Sequence, residues 1–98
     1  MKILAIEKEL EGANWKNQNE VLEQEAYHVH ELYLSGYLRE IYFNELHNAV
    51  LILECVNIDK AREILNDLPL VKEGLIDFEI MQLNPYTGYD RIIDKQVS

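Results

Sequence analysis

One apolar run dominates the chain: Ala49-Val50-Leu51-Ile52-Leu53-Glu54-Cys55-Val56, in which Glu54 is the one charged residue. Side chains alternate between the two faces of a strand, so a half-buried strand needs apolar residues on one face only. This run is apolar on both faces, and each face therefore has to be covered. Helices can cover one face. The chain is too short to supply a further layer, so we expect a second copy of the sheet to cover the other.

Length and charge limit the kinds of protein this chain can be. Its 98 residues make one domain, residues 1–98, with a single core. Nine basic and eighteen acidic side chains give a net charge of −9, which repels nucleic-acid phosphates and anionic membrane surfaces. The start Met1-Lys2-Ile3-Leu4 is too short an apolar run for a signal peptide, and the single Cys55 can form no internal disulfide. We therefore expect a soluble, cytoplasmic protein with no nucleic-acid or membrane partner.

Periodicity divides the rest of the chain into two helices and three further strands. Helix one carries an apolar stripe of Leu22, Ala26, Val29 and Tyr33, and Asn57 is a good N-cap for helix two. In chain order, the predicted elements are strand one over residues 1–9, helix one over 18–35, strand two over 37–43, strand three over 49–56, helix two over 57–68 and strand four over 75–83.

The element order β-α-β-β-α-β is that of the ferredoxin-like fold. We predict an α+β protein whose antiparallel sheet has strand order 4-1-3-2, with both helices on one face. Strands one and three are apolar on both faces, as the central strands of this sheet have to be. Fully burying a Leu or Ile contributes about 1.5–3 kcal/mol, so leaving a face of such residues in water is costly. Two sheets packed face to face make a dimeric α/β barrel, and we expect a homodimer or a larger homo-oligomer.

A tail follows strand four, with turn residues in Asn84-Pro85-Tyr86-Thr87-Gly88 and an apolar pair at Ile92-Ile93. We predict that residues 84–98 contact a partner subunit or fold back on their own subunit. The pattern alone leaves both arrangements open.

Several residues that can transfer protons are predicted to lie at one end of the sheet. We predict that strands one and three run parallel, so that their C-terminal ends share an edge. That arrangement gathers carboxylates, a guanidinium and an imidazole: Glu7, Glu54, Arg39, Asp77, Glu25 and His28. A carboxylate desolvated beside another has its pKa raised, which would make Glu7 or Glu54 a usable base or acid. Such a set suits general acid–base chemistry.

Structural roles compete with these catalytic ones. Arg39 can hold Glu54 in a cross-strand ion pair, and His28 can be a surface or interface residue. Trp15 lies in a loop, where its ring can anchor on the core edge or lie over a pocket. The segment His28-Val29-His30 lacks the i, i+4 spacing of a helical metal pair, so we predict no bound metal.

Five features spread over residues 20–91 form a recognisable pattern. They are Leu32-Tyr33-Leu34-Ser35-Gly36 followed by Leu38-Arg39, the acidic end of strand three, Ala61-Arg62-Glu63-Ile64-Leu65, Leu68-Pro69-Leu70-Val71, and Phe78-Glu79-Ile80 running into Pro85-Tyr86. Together they resemble the muconolactone isomerase-like branch of the small dimeric α/β-barrel proteins. The resemblance implies a pocket between sheet and helices, closed in part by the neighbouring subunit. For the isomerase itself, the resemblance implies a cofactor-free proton shift in an unsaturated lactone. For this chain, the resemblance implies that Glu54 and Arg39 are polar pocket residues.

The sequence supports one leading function and two alternatives. We predict a cofactor-free, homodimeric enzyme that transfers a proton within a small lactone or unsaturated acid, in the manner of muconolactone isomerase. The predicted catalytic residues are Glu54 or Glu7 as base, His28 as proton shuttle and Arg39 orienting an anionic oxygen; the predicted substrate contacts are Glu25, Tyr42, Trp15 and Asp77. The alternatives are a non-catalytic module for small-ligand binding or assembly, and a cofactor-free monooxygenase using Trp15 and Tyr42.

Overall fold

In the computed structural model, residues 1–96 form one sheet, two longer helices and two short ones. The predicted βαββαβ order is confirmed, with a one-turn helix before the last strand and a short helix in the tail. Residues 97–98 of the predicted tail lie outside the described residues. None of the helices in residues 1–96 has the length and apolar character that a membrane crossing requires. The elements are β1 (Lys2–Glu9), α1 (Asn19–Leu34), β2 (Leu38–Phe43), β3 (Ala49–Glu54), α2 (Ile58–Asn66), α3 (Pro69–Lys72), β4 (Ile76–Leu83) and α4 (Asp90–Gln96).

The four strands form one antiparallel sheet in the order β2-β3-β1-β4. This is the predicted 4-1-3-2 order counted from the opposite edge, so the ferredoxin-like fold is confirmed. Strands β1 and β2 run in the same direction but are not neighbours, because β3 pairs between them.

The predicted parallel orientation of β1 and β3 is wrong. The two strands pair antiparallel, with Lys2 opposite Glu54 and Ile6 opposite Val50. The hairpin between β2 and β3 reverses the chain, whereas the helical crossover through α1 gives β1 and β2 the same direction. Glu7 and Glu54 therefore lie at opposite ends of the sheet, and the cluster predicted at one edge is divided into separate groups.

The face of the sheet beneath α1, α2 and α3, here the inner face, forms the core. It contributes Ile3 and Ala5 from β1 and Leu51 and Leu53 from β3, each at most 1% exposed. The helices and the turn between them cover these residues with buried apolar side chains: Ala61, Leu65, Leu68 and Leu70. Because each fully buried Leu or Ile contributes about 1.5–3 kcal/mol, this layer is a main source of stability.

The opposite face of the sheet, here the outer face, is also apolar. It carries Leu4 and Ile6 of β1 and Val50 and Ile52 of β3, all half-buried. The edge strand β4 adds Met81, which is 39% exposed. Helices α1, α2 and α3 pack on the inner face. The doubly apolar pattern of the central strands thus corresponds to a core on one side and an apolar surface that these helices leave uncovered on the other.

Helix α1 packs more loosely than its predicted stripe implies. None of its residues is fully buried. Val29 packs against the core as predicted, but Tyr33 is 60% exposed, and Leu22 and Ala26 line a cavity. The helix therefore leaves a gap above the sheet, and this gap is the candidate site.

Helix α2 begins with a side-chain cap. Asn57 Oδ1 accepts a hydrogen bond of 2.7 Å from the Lys60 backbone N–H, and Asp59 lies in the first turn. Asn57→Ala removes the acceptor and is expected to lower the free energy of unfolding by about 1 kcal/mol. Urea unfolding measures the loss, with Asn57→Asp as the control that keeps an oxygen acceptor. Equal stability of Asn57→Ala and the parent would show that the cap does not stabilise the helix.

Candidate functional site

A cavity lies between α1 and the inner face of the sheet. Its volume is about 350 Å³, roughly twice the ~150 Å³ that accommodates benzene in an engineered core. Two small residues, Ala26 of α1 and Ala49 of β3, line it and help to make the space. The cavity can hold a molecule of one or two rings. Its walls are mainly apolar and include Leu22, Val29, Ile41, Leu51, Leu70 and Phe78.

Glu7 brings a carboxyl group into this cavity from the sheet. It follows Ile3 and Ala5 at the strand period of two, so it lies on the inner face near the end of β1. Burial raises the pKa of the Glu7 carboxyl above its ordinary value, the Ala49 backbone N–H and His47 oppose the rise, and Glu9 adds to it. The neutral acid is therefore easier to form here than in water.

Glu25 adds a second carboxyl group, from α1. Its Oε1 accepts a hydrogen bond of 3.0 Å from the Leu70 backbone N–H, which links α1 to α3. Burial raises the pKa of Glu25, while the Leu70 hydrogen bond and His28 oppose the rise and the charge of Glu7 adds to it. Two carboxyl groups thus share one apolar cavity, and ionisation of Glu7 disfavours ionisation of Glu25.

His47 brings an imidazole to the same cavity. It lies in the turn between β2 and β3 with φ at 63°, and its ring stacks on Phe43 with centroids 4.1 Å apart and planes 16° apart. Asn44 Oδ1 fixes the turn by accepting two of its backbone N–H groups, at 2.9 and 3.0 Å. The sequence prediction missed His47. A prediction of antiparallel pairing between β1 and β3 would have identified His47, because this pairing places the β2–β3 turn beside Glu7.

Trp15 lies at the rim of the cavity and is 38% exposed. Its indole Nε1–H donates a hydrogen bond of 2.6 Å to Glu9 Oε1, at the end of β1. Of the two positions considered for this ring, the structure shows the one over a pocket. The loop after β1 thereby supplies an aromatic wall to the site.

Glu54 and Arg39 lie away from this cavity. Glu54 Oε1 accepts a hydrogen bond of 2.7 Å from the Met1 ammonium, which lowers the pKa of Glu54. Arg39 lies at an irregularity in the pairing of β2 with β3, and its Nε–H donates to the Gly36 carbonyl at 2.8 Å. The described residues contain no salt bridge between Arg39 and Glu54. Neither the predicted ion pair nor a shared pocket with Glu7 is present.

The other predicted site residues also lie outside the cavity. His28 lines a separate groove between α1 and α2, together with Lys60 and Asp67. Asp77 Oδ1 accepts from Arg62 Nη1 at 3.2 Å and from the Phe78 backbone N–H at 2.8 Å. Tyr42 is 58% exposed and donates to Glu40 Oε1 at 2.7 Å, opposite the outer-face residue Val50. Of the eight predicted residues, the structure brings together Glu7, Glu25 and Trp15.

The cavity combines groups that can exchange protons with mainly apolar walls. Glu7, Glu25 and His47 can each hold or release a proton, and the apolar walls strengthen the interactions of any charge that develops between them. Within residues 1–96, no three His, Cys, Asp or Glu side chains are placed to hold a metal ion together. The arrangement is suited to general acid–base chemistry on a small organic molecule.

Comparisons with known proteins support the fold. No family model matches the chain, and no curated protein does. Among solved structures, the chain is similar to 5-chloro-2-hydroxyhydroquinone dehydrochlorinase (TftG) from Burkholderia phenoliruptrix AC1100, in complex with 2,5-dihydroxybenzoquinone. The identity is 16% and the TM-score 0.64, and the match covers 90% of this chain and 98% of the other. At this identity the likeness shows the ferredoxin-like α+β fold alone.

Proposed function

We propose that this chain is a small enzyme that moves a proton within an organic molecule bound in the cavity. The observation that carries the proposal is the meeting of Glu7 and Glu25, both with raised pKa, in a mainly apolar space. Catalytic carboxyl groups are tuned toward the working pH by burial in this way. The fold shared with the dehydrochlorinase TftG, whose structure holds a single-ring molecule, is consistent with a ligand of this size.

The two carboxyl groups divide the chemistry between them. One, as carboxylate, takes the proton from the saturated γ carbon of a conjugated carbonyl compound, and the electron pair enters the conjugated system. The other, as carboxylic acid, returns a proton at the carbon beside the carbonyl group, and the double bond moves to the β,γ position. Substrate and product are isomers, so the reaction consumes no co-reactant. Lactones with a conjugated double bond are substrates of this kind, and His47 can stabilise charge that develops on their oxygen atoms.

A second copy of the chain covers the outer face in this proposal. Four apolar side chains of the central strands are half-buried there, and helices α1, α2 and α3 pack on the opposite face. Sheets packed face to face would bury these residues about 10 Å apart, as in a β-sandwich. A homodimer is thus the assembly that the apolar pattern of Leu4, Ile6, Val50 and Ile52 favours.

The tail reaches the partner subunit in the same assembly. The radius of gyration is 17.1 Å, against about 13 Å for a compact chain of 100 residues. Tyr86, Tyr89, Ile92 and Ile93 are 48–75% exposed, so the tail carries apolar side chains that its own subunit does not bury. Contact with a second subunit would cover them.

A non-catalytic ligand-binding module is the second candidate function. The mainly apolar walls of the cavity favour it, because binding alone requires shape and apolar surface rather than proton transfer. The two candidates differ in one observable, which is turnover.

Proton exchange in deuterium oxide tests the leading proposal. Purified protein is incubated with a panel of unsaturated lactones, and nuclear magnetic resonance follows deuterium incorporation and migration of the double bond. Glu7→Gln and Glu25→Gln are each expected to reduce the rate about 10²–10⁴-fold, the usual worth of a general acid or base. Glu54→Gln and His28→Asn are the controls and are expected to retain the parent rate.

Three outcomes contradict the proposal. Full activity of both cavity variants would remove Glu7 and Glu25 from the chemistry. Loss of activity in Glu54→Gln would instead support the residues predicted from the sequence. Binding of lactones without exchange or isomerisation would favour the non-catalytic module.

A further inference from the structure

We infer that the cavity selects uncharged ring compounds that carry hydroxyl groups, and that it rejects organic anions of the same size. The inference concerns the site on which the proposed function rests, and it adds the charge and polarity of the ligand. It also divides the substrates predicted from the sequence, because a neutral lactone that carries a hydroxyl group meets both requirements, whereas an unsaturated acid is an anion at neutral pH.

The charged groups in the cavity lining are the reason that we expect anions to be excluded. Its lining includes two carboxyl groups, Glu7 and Glu25, and no Lys or Arg. Arg39, the residue predicted to orient an anionic oxygen, lies outside the lining, and its Nε–H donates a hydrogen bond to the Gly36 carbonyl. A carboxylate placed here would lose part of its water and meet two acidic groups, with no Lys or Arg in the lining to pair with it. Neutral molecules avoid this cost.

The requirement for hydroxyl groups follows from the hydrogen bonds that Glu7 and Glu25 can accept. Glu25 receives the Leu70 backbone N–H on Oε1, which leaves Oε2 for a ligand. Carboxylate oxygens accept hydrogen bonds and do not donate them. A ligand with hydroxyl donors can therefore satisfy Glu7 and Glu25 inside an otherwise apolar space, whereas a hydrocarbon of the same shape cannot.

The walls of the cavity favour a flat ring over an amine. Phe78, Phe43 and Trp15 contribute aromatic surface, and about 350 Å³ accommodates one or two rings. An ammonium group would pair with the carboxylates, but the apolar walls would also desolvate it.

Three phenols of similar size, whose second substituents differ in charge, test the inference by binding alone. They are 4-hydroxybenzyl alcohol, which is neutral, 4-hydroxybenzoate, which is an anion, and 4-hydroxybenzylamine, which is a cation at about pH 7.5. Isothermal titration calorimetry gives the affinities. The indole N–H signal of Trp15, the one tryptophan in the sequence, reports whether each probe enters this cavity, because the ring lies at its rim.

The alcohol is expected to bind at least about tenfold more tightly than the benzoate, since one like-charge contact in a partly buried site is worth that much or more. The amine is expected to bind less tightly than the alcohol. In the Glu7→Gln/Glu25→Gln double variant, the gap between alcohol and benzoate is expected to narrow, because the repulsion has been removed while hydrogen-bonding capacity is kept. Circular dichroism of the double variant verifies that it folds.

Several results would overturn the inference. They are equal or tighter binding of the benzoate, tightest binding of the amine, binding that leaves the Trp15 signal unchanged, and no binding of the alcohol up to about 10 mM. The proposed function fails separately. If the alcohol binds best but no lactone exchanges a proton, the inferred ligand class is supported and the proposed proton transfer is contradicted. If lactones react but anions bind best, catalysis stands and the ligand class is wrong.

Discussion

Ile52→Lys is expected to convert the proposed homodimer into a monomer. Ile52 lies on the central strand β3 within the outer face, opposite Leu4 of β1 and Glu40 of β2. Burying an Ile side chain contributes about 1.5–3 kcal/mol, and enclosing an ammonium group between two sheets adds a desolvation cost of several kcal/mol that pairing with the opposite Glu40 does not fully offset. Together these losses exceed the ~4 kcal/mol that weakens a dissociation constant about a thousandfold.

Light scattering of the protein as it leaves a size-exclusion column measures the change. The parent is expected to have twice the chain mass of 11.5 kDa, or a larger multiple, and Ile52→Lys the chain mass itself. Glu63→Gln is the matched control, because it changes the net charge by the same amount at an exposed position on α2. A monomeric parent, or an Ile52→Lys variant with the parent's mass, would contradict the proposed dimer.

The fold was predictable because burial dictates periodicity within each element. In β1, Ile3 and Ala5 face the helices while Leu4 and Ile6 face outward, and both parities are apolar as a central strand requires. Asn57 marks the start of α2 by its capping chemistry. The element order, the strand order and the two apolar faces of the sheet all follow from local patterns of this kind.

The candidate site was only partly predictable, because it depends on strand direction and on side-chain contacts. Glu7 and Glu54 have similar sequence environments, and only the antiparallel register separates them by the length of the sheet. Glu25 was predicted as a pocket residue because helix one starts near that edge, and the structure places it in the cavity. His28, three residues later, points to another groove, a distinction that helical spacing shows only once the position of the sheet is known.

Glu25→Gln is expected to stabilise the protein at neutral pH, and Glu25→Ala to destabilise it. The Gln amide oxygen can still accept the Leu70 N–H that Glu25 Oε1 accepts at 3.0 Å. It also avoids the cost of burying a negative charge, which is the largest cause of the raised pKa of Glu25. Ala leaves the Leu70 N–H without this acceptor, and a buried donor that loses its partner costs about 1–3 kcal/mol.

The raised pKa of Glu25 determines how the stability of Glu25→Gln relative to the parent should depend on pH. A carboxyl group whose pKa is higher in the folded state contributes stability that is fully present below its unfolded pKa and is lost as pH rises through the folded pKa. The advantage of Glu25→Gln over the parent is therefore expected to be small near the ordinary pKa of 4.5 and to grow as the pH rises above it.

Urea unfolding at a series of pH values from about 5 to about 8 measures this difference in free energy of unfolding. Glu23→Gln, at an exposed position on the same helix, removes an equal charge and is the control for the general effect of net charge. If the parent is more stable than Glu25→Gln at about pH 8, the hydrogen bond to the Leu70 N–H outweighs burial, because the ionised carboxylate is then the favoured form. Glu25 would in that case hold α1 to α3 as an anion, and the proton donor of the proposed reaction would have to be Glu7.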